Sequence, residues 1–531
     1  MTFIIKQLFS KKSEDQSDVV KEFVEDVTDE KAIFSEVDKN RKVIEDIFGE
    51  SIDFSMSEIL FSERKGFIIY FSSMTNSERV LQQLKPSLSQ LHHEHEKIES
   101  LDNLKAIRDS FFSDHRTDLV QTFHECVWHA LNGAVVLFLE GFAHALVIEV
   151  GGLEHRSISE PSTQTIIRGP KDAFVESLDI NLSLIRRRVK NPRLTFRQYI
   201  VGSESRTAVV IGYIDGLTNP GIVKEVEERI EKIDIYAILD SGNVEEMISD
   251  SAYTPFPLIF NTERPDSIAA NLMEGKVAIL VDGSPFALLV PCVFTDFFQA
   301  TEDYYQPYFM SSFIRLVRYS SFMISLVLPS LYVALTTYHV ELFPTTLLIS
   351  IQSQREGVPF PAVVEILAME LTFEVLREAG IRMPRAVGQT VSIVGALVIG
   401  QAAVEAGLVS NVLVIIVAFT AISSFVSPIY NFSISTRLLR FVLIIGASIM
   451  GLYAVLLLLV VMVVHLTSLR SFGVSYLTPV APLTLGDQDD VFVRFPVWAN
   501  KKKPSYLKQV RNDKMVKSVK PSPPSSEGDQ T

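Results

Sequence analysis

The chain has 531 residues, a formal net charge of −14 and a charged fraction of 21%. That acidic balance argues against broad nucleic-acid binding. The two cysteines, Cys126 and Cys292, lie far apart, so neither a disulfide framework nor a metal cluster is indicated. The mean hydropathy of +0.24 averages two unlike parts, an acidic, globular-looking region to about residue 310 and a strongly apolar one after it.

Residues 1–40 are polar and charged and read as a loosely structured leader. Their first apolar stretch, Met-Thr-Phe-Ile-Ile, is short for a signal-peptide core, so the soluble part is expected not to be exported. From Arg41 to about Val290, β-type runs alternate with amphipathic helical stretches, which predicts mixed α/β layers. A weak repeat runs through this part. Phe67–Asn76 resembles Val210–Asn219, each a strand followed by a turn ending in Thr-Asn. The hairpin around Gly141 resembles the one around Gly283, at nearly the same offset of about 142 residues. Two tandem subdomains of similar topology are therefore expected, at 41–155 and 196–300, with a helical, basic connector at 156–195. The connector carries Arg186, Arg187 and Arg188 in a row.

Signatures of catalysis are mostly missing: there is no phosphate-binding glycine loop and no Gly-x-Ser-x-Gly elbow. The histidines of His124-Glu-Cys-Val-Trp-His129 are five apart and so do not share a helix face as a zinc pair would. His92-His-Glu-His-Glu96 reads as a solvated surface. No enzyme activity, cofactor or metal is expected.

Beyond residue 310 the runs Tyr319–Val340, Ala386–Val404 and Phe441–Val464 carry no charge, and Ala406–Thr436 is long enough for a span plus a turn. Runs of about 18 or more such residues are long enough to cross a bilayer as helices. Glu356-Gly-Val-Pro-Phe-Pro361 ends one helix and starts another, Ala362–Ala379. In that helix Glu370, Glu374 and Glu378 fall at i, i+4 and i+8, within reach of Arg377. Carboxylates beside membrane spans are costly unless they face a pore, a partner or water. An amphipathic helix lying in the interface is the competing reading. The tail, with Lys501, Lys502, Lys503, Lys508 and Arg511, is expected to stay cytoplasmic by the positive-inside bias.

Several long motifs resemble the A subunit of spore germinant receptors, the GerA family. They include Glu302-Asp-Tyr-Tyr305, Ser312-Phe-Ile-Arg-Leu-Val-Arg-Tyr319, Leu328–Thr337, Arg355-Glu-Gly-Val-Pro-Phe-Pro361, Leu376–Pro384 and Val387-Gly-Gln-Thr-Val391. In the soluble part, Ile167-Arg-Gly-Pro170, Leu184-Ile-Arg-Arg-Arg188, Ile235–Gly242 and Thr262-Glu-Arg-Pro-Asp266 match as well. The resemblance spans about residues 45–500. It implies a subunit of a three-part receptor in the spore inner membrane, working with a permease-like B subunit and a lipoprotein C subunit. It also implies a homo-oligomeric ring that opens as a cation channel. A relative from a later germination operon shares these motifs, and a secondary transporter is the alternative from another class.

The expected architecture is an α/β cytosolic region of two tandem similar subdomains, followed by an all-α polytopic membrane domain at 301–470 and a basic tail at 471–531. Candidate pore-lining residues are Pro361, Val363, Val364, Glu365, Leu367 and Glu370. The carboxylates would favour cations, and the apolar residues would form a constriction that gates by dewetting. Candidate interface residues are Arg186, Arg187, Arg188, Glu374 and Arg377.

Overall fold

The computed structural model describes residues 31–61, 64–75, 80, 117–150, 160–383, 398–499 and 502–510. Two α/β units come first. The first contains α1 (Val37–Phe48), β1 (Phe54–Phe61), β2 (Arg64–Phe71), β3 (Thr117–Val120), α2 (Phe123–Leu131), β4 (Val135–Leu139) and β5 (Ala145–Ile148). The second contains α3 (Leu178–Arg188), β6 (Leu194–Val201), β7 (Thr207–Ile214), α4 (Pro220–Glu231) and α5 (Ser241–Ile248), then β8 (Phe260–Thr262), α6 (Pro265–Met273), β9 (Val277–Val281) and β10 (Ala287–Val290).

Each unit holds a five-stranded sheet, in the orders β1-β2-β4-β5-β3 and β6-β7-β9-β10-β8. Counted along the chain, these are the same order, and all pairings are antiparallel. Side chains alternate across a strand. Phe67, Ile69 and Phe71 of β2 therefore enter one core while Ile68 and Tyr70 enter another. In β7, Val209, Ile211 and Tyr213 likewise separate from Val210 and Ile214. Sheets buried on both faces explain the near-continuous apolar strands in the sequence.

The repeat extends to individual hydrogen bonds. The Asn40 side chain donates to Phe34 O at 2.7 Å and accepts from Phe34 N–H at 2.9 Å. Asn181 makes the same two bonds to Val175, at 2.6 and 2.9 Å. The N–H of Val37 reaches Glu140, as that of Leu178 reaches Asp282. The two hairpin glycines adopt φ of +88° at Gly141 and +85° at Gly283, a region that favours glycine. Helix α3 is thus the counterpart of α1. The segment expected as a connector contains the second unit's own first helix.

The helical part comprises α7 (Tyr308–Thr337), α8 (Thr345–Arg355), α9 (Ala362–Arg382), α10 (Asn411–Ser424), α11 (Tyr430–Met450) and α12 (Leu452–Ser468). Among the described residues, α7 and α11 are long and apolar enough to cross a membrane, and α10 and α12 are shorter apolar helices. The uncharged runs do not coincide with helices. Run 441–464 is divided by Gly451 at φ +62°, and run 406–436 by the stretch around Pro428. Charge-free length registers neither a left-handed glycine nor a charge neutralised on a neighbouring helix. Much of the run 386–404 lies outside the described residues.

The second unit and the helices share one core. Ile429, Phe432, Leu466 and Leu469 pack with Phe256, Leu258 and Phe297. The rings of Phe297 and Phe432 stack at 5.1 Å. At the base of α7, buried Asp303 pairs with Arg315 at 3.1 Å and Arg318 at 2.7 Å. Arg315 also meets Asp490 at 2.8 Å. After α12 the chain returns to the second unit. Ser471 Oγ donates to Leu258 O, and Tyr476 Oη to Pro257 O, both at 2.8 Å. Further on, Val510 N–H donates to Leu217 O at 3.2 Å and Asn219 Nδ2 to Leu507 O at 3.3 Å. Gln509 donates to Glu274 O.

Candidate functional site: a charge cluster on helix α9

Helix α9 begins after Pro361, whose fixed φ of −61° suits a helix entry. Its side chains sort into two faces. Ala362, Glu365, Ile366, Met369 and Glu370 are buried, whereas Pro361, Val364, Ala368, Leu371, Val375 and Glu378 are exposed. The exposed positions recur every three or four residues, which defines one helical stripe.

The structure thereby divides the six candidate pore-lining residues. Pro361 and Val364 lie on the exposed stripe. Val363 and Leu367 pack against the bundle core. Glu365 and Glu370 point into the bundle and face charges of their own chain. Glu365 accepts from the Ser410 N–H at 3.2 Å, at the N-terminus of α10, and lies 3.5 Å from Arg355. Backbone N–H groups and the helix dipole favour a carboxylate there. Ser410 also caps α10 by accepting from Leu413 N–H at 3.3 Å.

Glu370, 2% exposed, lies 3.1 Å from Arg440, itself 1% exposed. Glu374 gathers Arg437 at 2.6 Å, Arg440 at 3.2 Å and Arg377 at 3.4 Å. Arg377 Nη2 donates to Ser424 Oγ at 2.9 Å, and its guanidinium lies over Phe425. Three guanidiniums thus meet two carboxylates. Glu370 Oε1 and Arg440 Nε and Nη1 have no hydrogen-bond partner among the described residues. Buried charge of this kind is stable only while every partner is present. Glu378, at i+8 from Glu370, has turned out to the surface and pairs with Arg382 at 2.7 Å. The i, i+4 series drifts by about 40° per step because 3.6 residues make a turn.

Beside the cluster lies a small cavity of about 10 Å³, lined by Ser325, Ser423, Ser424, Ser433, Thr436 and, across it, Arg318. That is room for about one water. Hydroxyl groups therefore run between the Asp303–Arg318 pair at the base of α7 and Arg377 on α9.

The arginine row occupies a different place. Arg186 is fully buried between the two α/β units. It donates to both oxygens of Asp53, at 2.7 and 3.0 Å, and lies between the rings of Phe71 and Phe196. Arg188 pairs with Asp172, and Arg187 is half-buried and engaged. His92–Glu96 lies outside the described residues. Cys126 is fully buried, and that burial pushes its thiol well up.

Sequence reasoning missed Arg437, Arg440, Arg355 and Asp53. A signal for the first two was present: Arg437-Leu-Leu-Arg440 punctuates two uncharged runs. Ending the runs there hid that both arginines sit in the middle of α11.

Residues 42–506 match the family model described as Bacillus/Clostridium GerA spore germination protein. The chain is 44% identical over 483 residues to spore germination protein KA of Bacillus subtilis, covering 90% of this chain and 88% of that one. It is 40% identical to spore germination protein GerLA of Bacillus cereus, covering 88% and 94%. An uncharacterized membrane protein of B. subtilis, YfkQ, is 43% identical over 86% of this chain and 88% of its own. Among solved structures, the N-terminal domain of the A subunit of the Bacillus megaterium germinant receptor GerK3 aligns with half of this chain and 98% of its own. That alignment has 28% identity and a TM-score of 0.39. The motifs around α7 and α9 and the match over nearly the whole chain lead to one conclusion: this protein belongs to the GerA family of spore germination proteins.

Proposed function

We propose that the chain acts, without enzymatic chemistry, as the A subunit of a germinant receptor in the spore inner membrane. In this reading α7, α10, α11 and α12 cross the membrane and the α/β units lie on the side of the C-terminal segment. B and C subunits complete the receptor, and several copies of α9 surround an ion path. The observation that carries the reading is the two-faced α9. Its buried carboxylates Glu365 and Glu370 face arginines of their own chain, while an apolar stripe of Val364, Ala368, Leu371 and Val375 remains outward. A ring of such stripes would form a dewetted constriction that opens when the helices rotate or separate.

Cation flux in liposomes carrying the complete receptor tests this. Val364→Asn or Leu371→Asn places an amide in the constriction and is expected to raise resting flux about tenfold or more, with assembly unchanged. Glu370→Ala leaves the three guanidiniums of Arg377, Arg437 and Arg440 with Glu374 as the one carboxylate of the cluster, and is expected to reduce the amount of assembled protein. Parental flux from both stripe variants at normal assembly would remove α9 from the ion path.

A further inference from the structure

A cavity of about 850 Å³ lies where the second α/β unit, the residues just before α7 and the returning C-terminal segment meet. That volume is in the range of small-molecule sites. Ile214, Leu217, Phe260, Met273, Phe495 and Val497 supply apolar walls.

Its charged lining is almost entirely committed elsewhere. Asp266 pairs with Arg264, Asp296 with Lys276, Asp490 with Arg315 and Arg188 with Asp172. Glu274 and Lys503 are each engaged as well. Arg494 stands apart. It is 5% exposed and has no ion-pair partner among the described residues. Its Nη1 donates to two carbonyls, Asp303 O at 2.8 Å and Gln306 O at 2.9 Å, and its guanidinium lies over the Tyr304 ring. Its backbone is locked to α7 through Ser312, whose Oγ accepts from Arg494 N–H at 3.1 Å. A buried guanidinium held rigidly on a cavity wall without a counter-charge is a site for an anion.

We propose that this cavity binds one molecule carrying a single acidic group on an apolar body, with the acid against Arg494 and the body against the apolar walls. The molecule bridges the second unit, the start of α7 and the C-terminal segment, so its binding tightens the joint between the α/β region and the helices. Two sources share this chemistry: a soluble carboxylate and an anionic lipid. Tyr308, Phe309 and Phe313, exposed on the first turns of α7, lie close by in sequence to the lining residues Tyr304 and Tyr305.

The test uses the purified full chain in phosphatidylcholine nanodiscs. Isocaproate is titrated beside isohexanol, which lacks the charge, and acetate, which lacks the body. Isocaproate is expected to bind saturably, and the other two at least about tenfold more weakly. Arg494→Gln and the cavity-filling Ala270→Phe should each weaken isocaproate at least about tenfold, with Arg494→Lys in between. Ala270→Phe leaves the Arg494 contacts in place, so it decides the matter if Arg494→Gln does not fold. In parallel, nanodiscs containing phosphatidylglycerol are examined by native mass spectrometry after detergent exchange. Lipid retained by the parent and lost in Ala270→Phe, with no isocaproate binding, assigns the ligand to the bilayer; the reverse assigns it to solution. The proposal is overturned if neither probe binds, if isohexanol binds as well as isocaproate, or if the parent and Ala270→Phe bind alike. None of these readouts depends on ion flux, so failure here leaves the channel reading standing.

Discussion

At the scale of single residues, the α/β region holds a titrating group outside the helical part. Burial pushes the Glu245 carboxyl up to about 7, and nearby Asp240 adds to the push, while Asn261 donating at 3.4 Å opposes it. A carboxyl raised in the folded state holds its proton more tightly there than when unfolded. The resulting stability is fully present below the unfolded value near 4.5 and is lost as pH rises through about 7. Glu245→Gln should therefore flatten the fall in stability between those limits. At pH 8 it should stabilise the second unit by on the order of 1–2 kcal/mol. Chemical denaturation of parent and variant at several pH values checks this; parallel pH curves would remove Glu245 as the cause.

At the scale of elements, the duplicated asparagines give a matched pair of experiments. Asn40 and Asn181 each satisfy a backbone N–H and a backbone C=O six residues upstream, in front of α1 and α3. Truncation removes two part-buried hydrogen bonds to the backbone, each worth about 0.5–1.5 kcal/mol. Asn40→Ala and Asn181→Ala should thus destabilise their own units by similar amounts, measured by denaturant unfolding; unequal losses would mean that the two bonds are not equivalent. Much of this layer was legible in the sequence. Phe67–Ile69 and Val210–Gly212 showed matching strands, and Gly141 and Gly283 marked matching hairpins. The Asn40/Asn181 equivalence gave no local signal, because a lone asparagine in the first turn of a helix resembles any other polar residue there. In the helical part the reading stopped at residue type. The carboxylates of α9 were found, but which way each one points depends on partners in α8, α10 and α11 that no local spacing reveals. Arg355, Ser410 and Arg440 come from distant stretches of chain and meet Glu365 and Glu370 only after packing.

At the scale of the whole molecule, the two α/β units are attached differently. The second shares its core with Ile429, Phe432 and Leu466, whereas the cores of the first contain, among the described residues, those of that unit alone. The first unit meets the second at the Arg186–Asp53 pair, flanked by Ile52 N–H donating to Phe196 O at 2.9 Å. Arg186→Ala leaves Asp53 buried without its partner, a loss of about 3–5 kcal/mol. Hydrogen exchange should then accelerate in α1, β1 and β2 while the amides of α7 and α11 keep their protection. Equal acceleration throughout would show that the units open as one. The C-terminal segment is fixed to the second unit in yet another way. Its bonds run from Val510 N–H to a carbonyl, from Asn219 to the carbonyl of Leu507, and from Gln509 to a carbonyl. On the segment's side Val510 uses its N–H and Leu507 its carbonyl, main-chain groups that do not depend on the side chain there, whereas Gln509 donates from its side chain. The two main-chain bonds are forgiving of mutation: positions 507 and 510 can drift in sequence between relatives and still seat on the same surface, while Gln509 is the position that must be kept. Exchanging the segment between two relatives that both carry glutamine at the position of Gln509 should therefore yield chimaeras whose C-terminal segment docks as it does here.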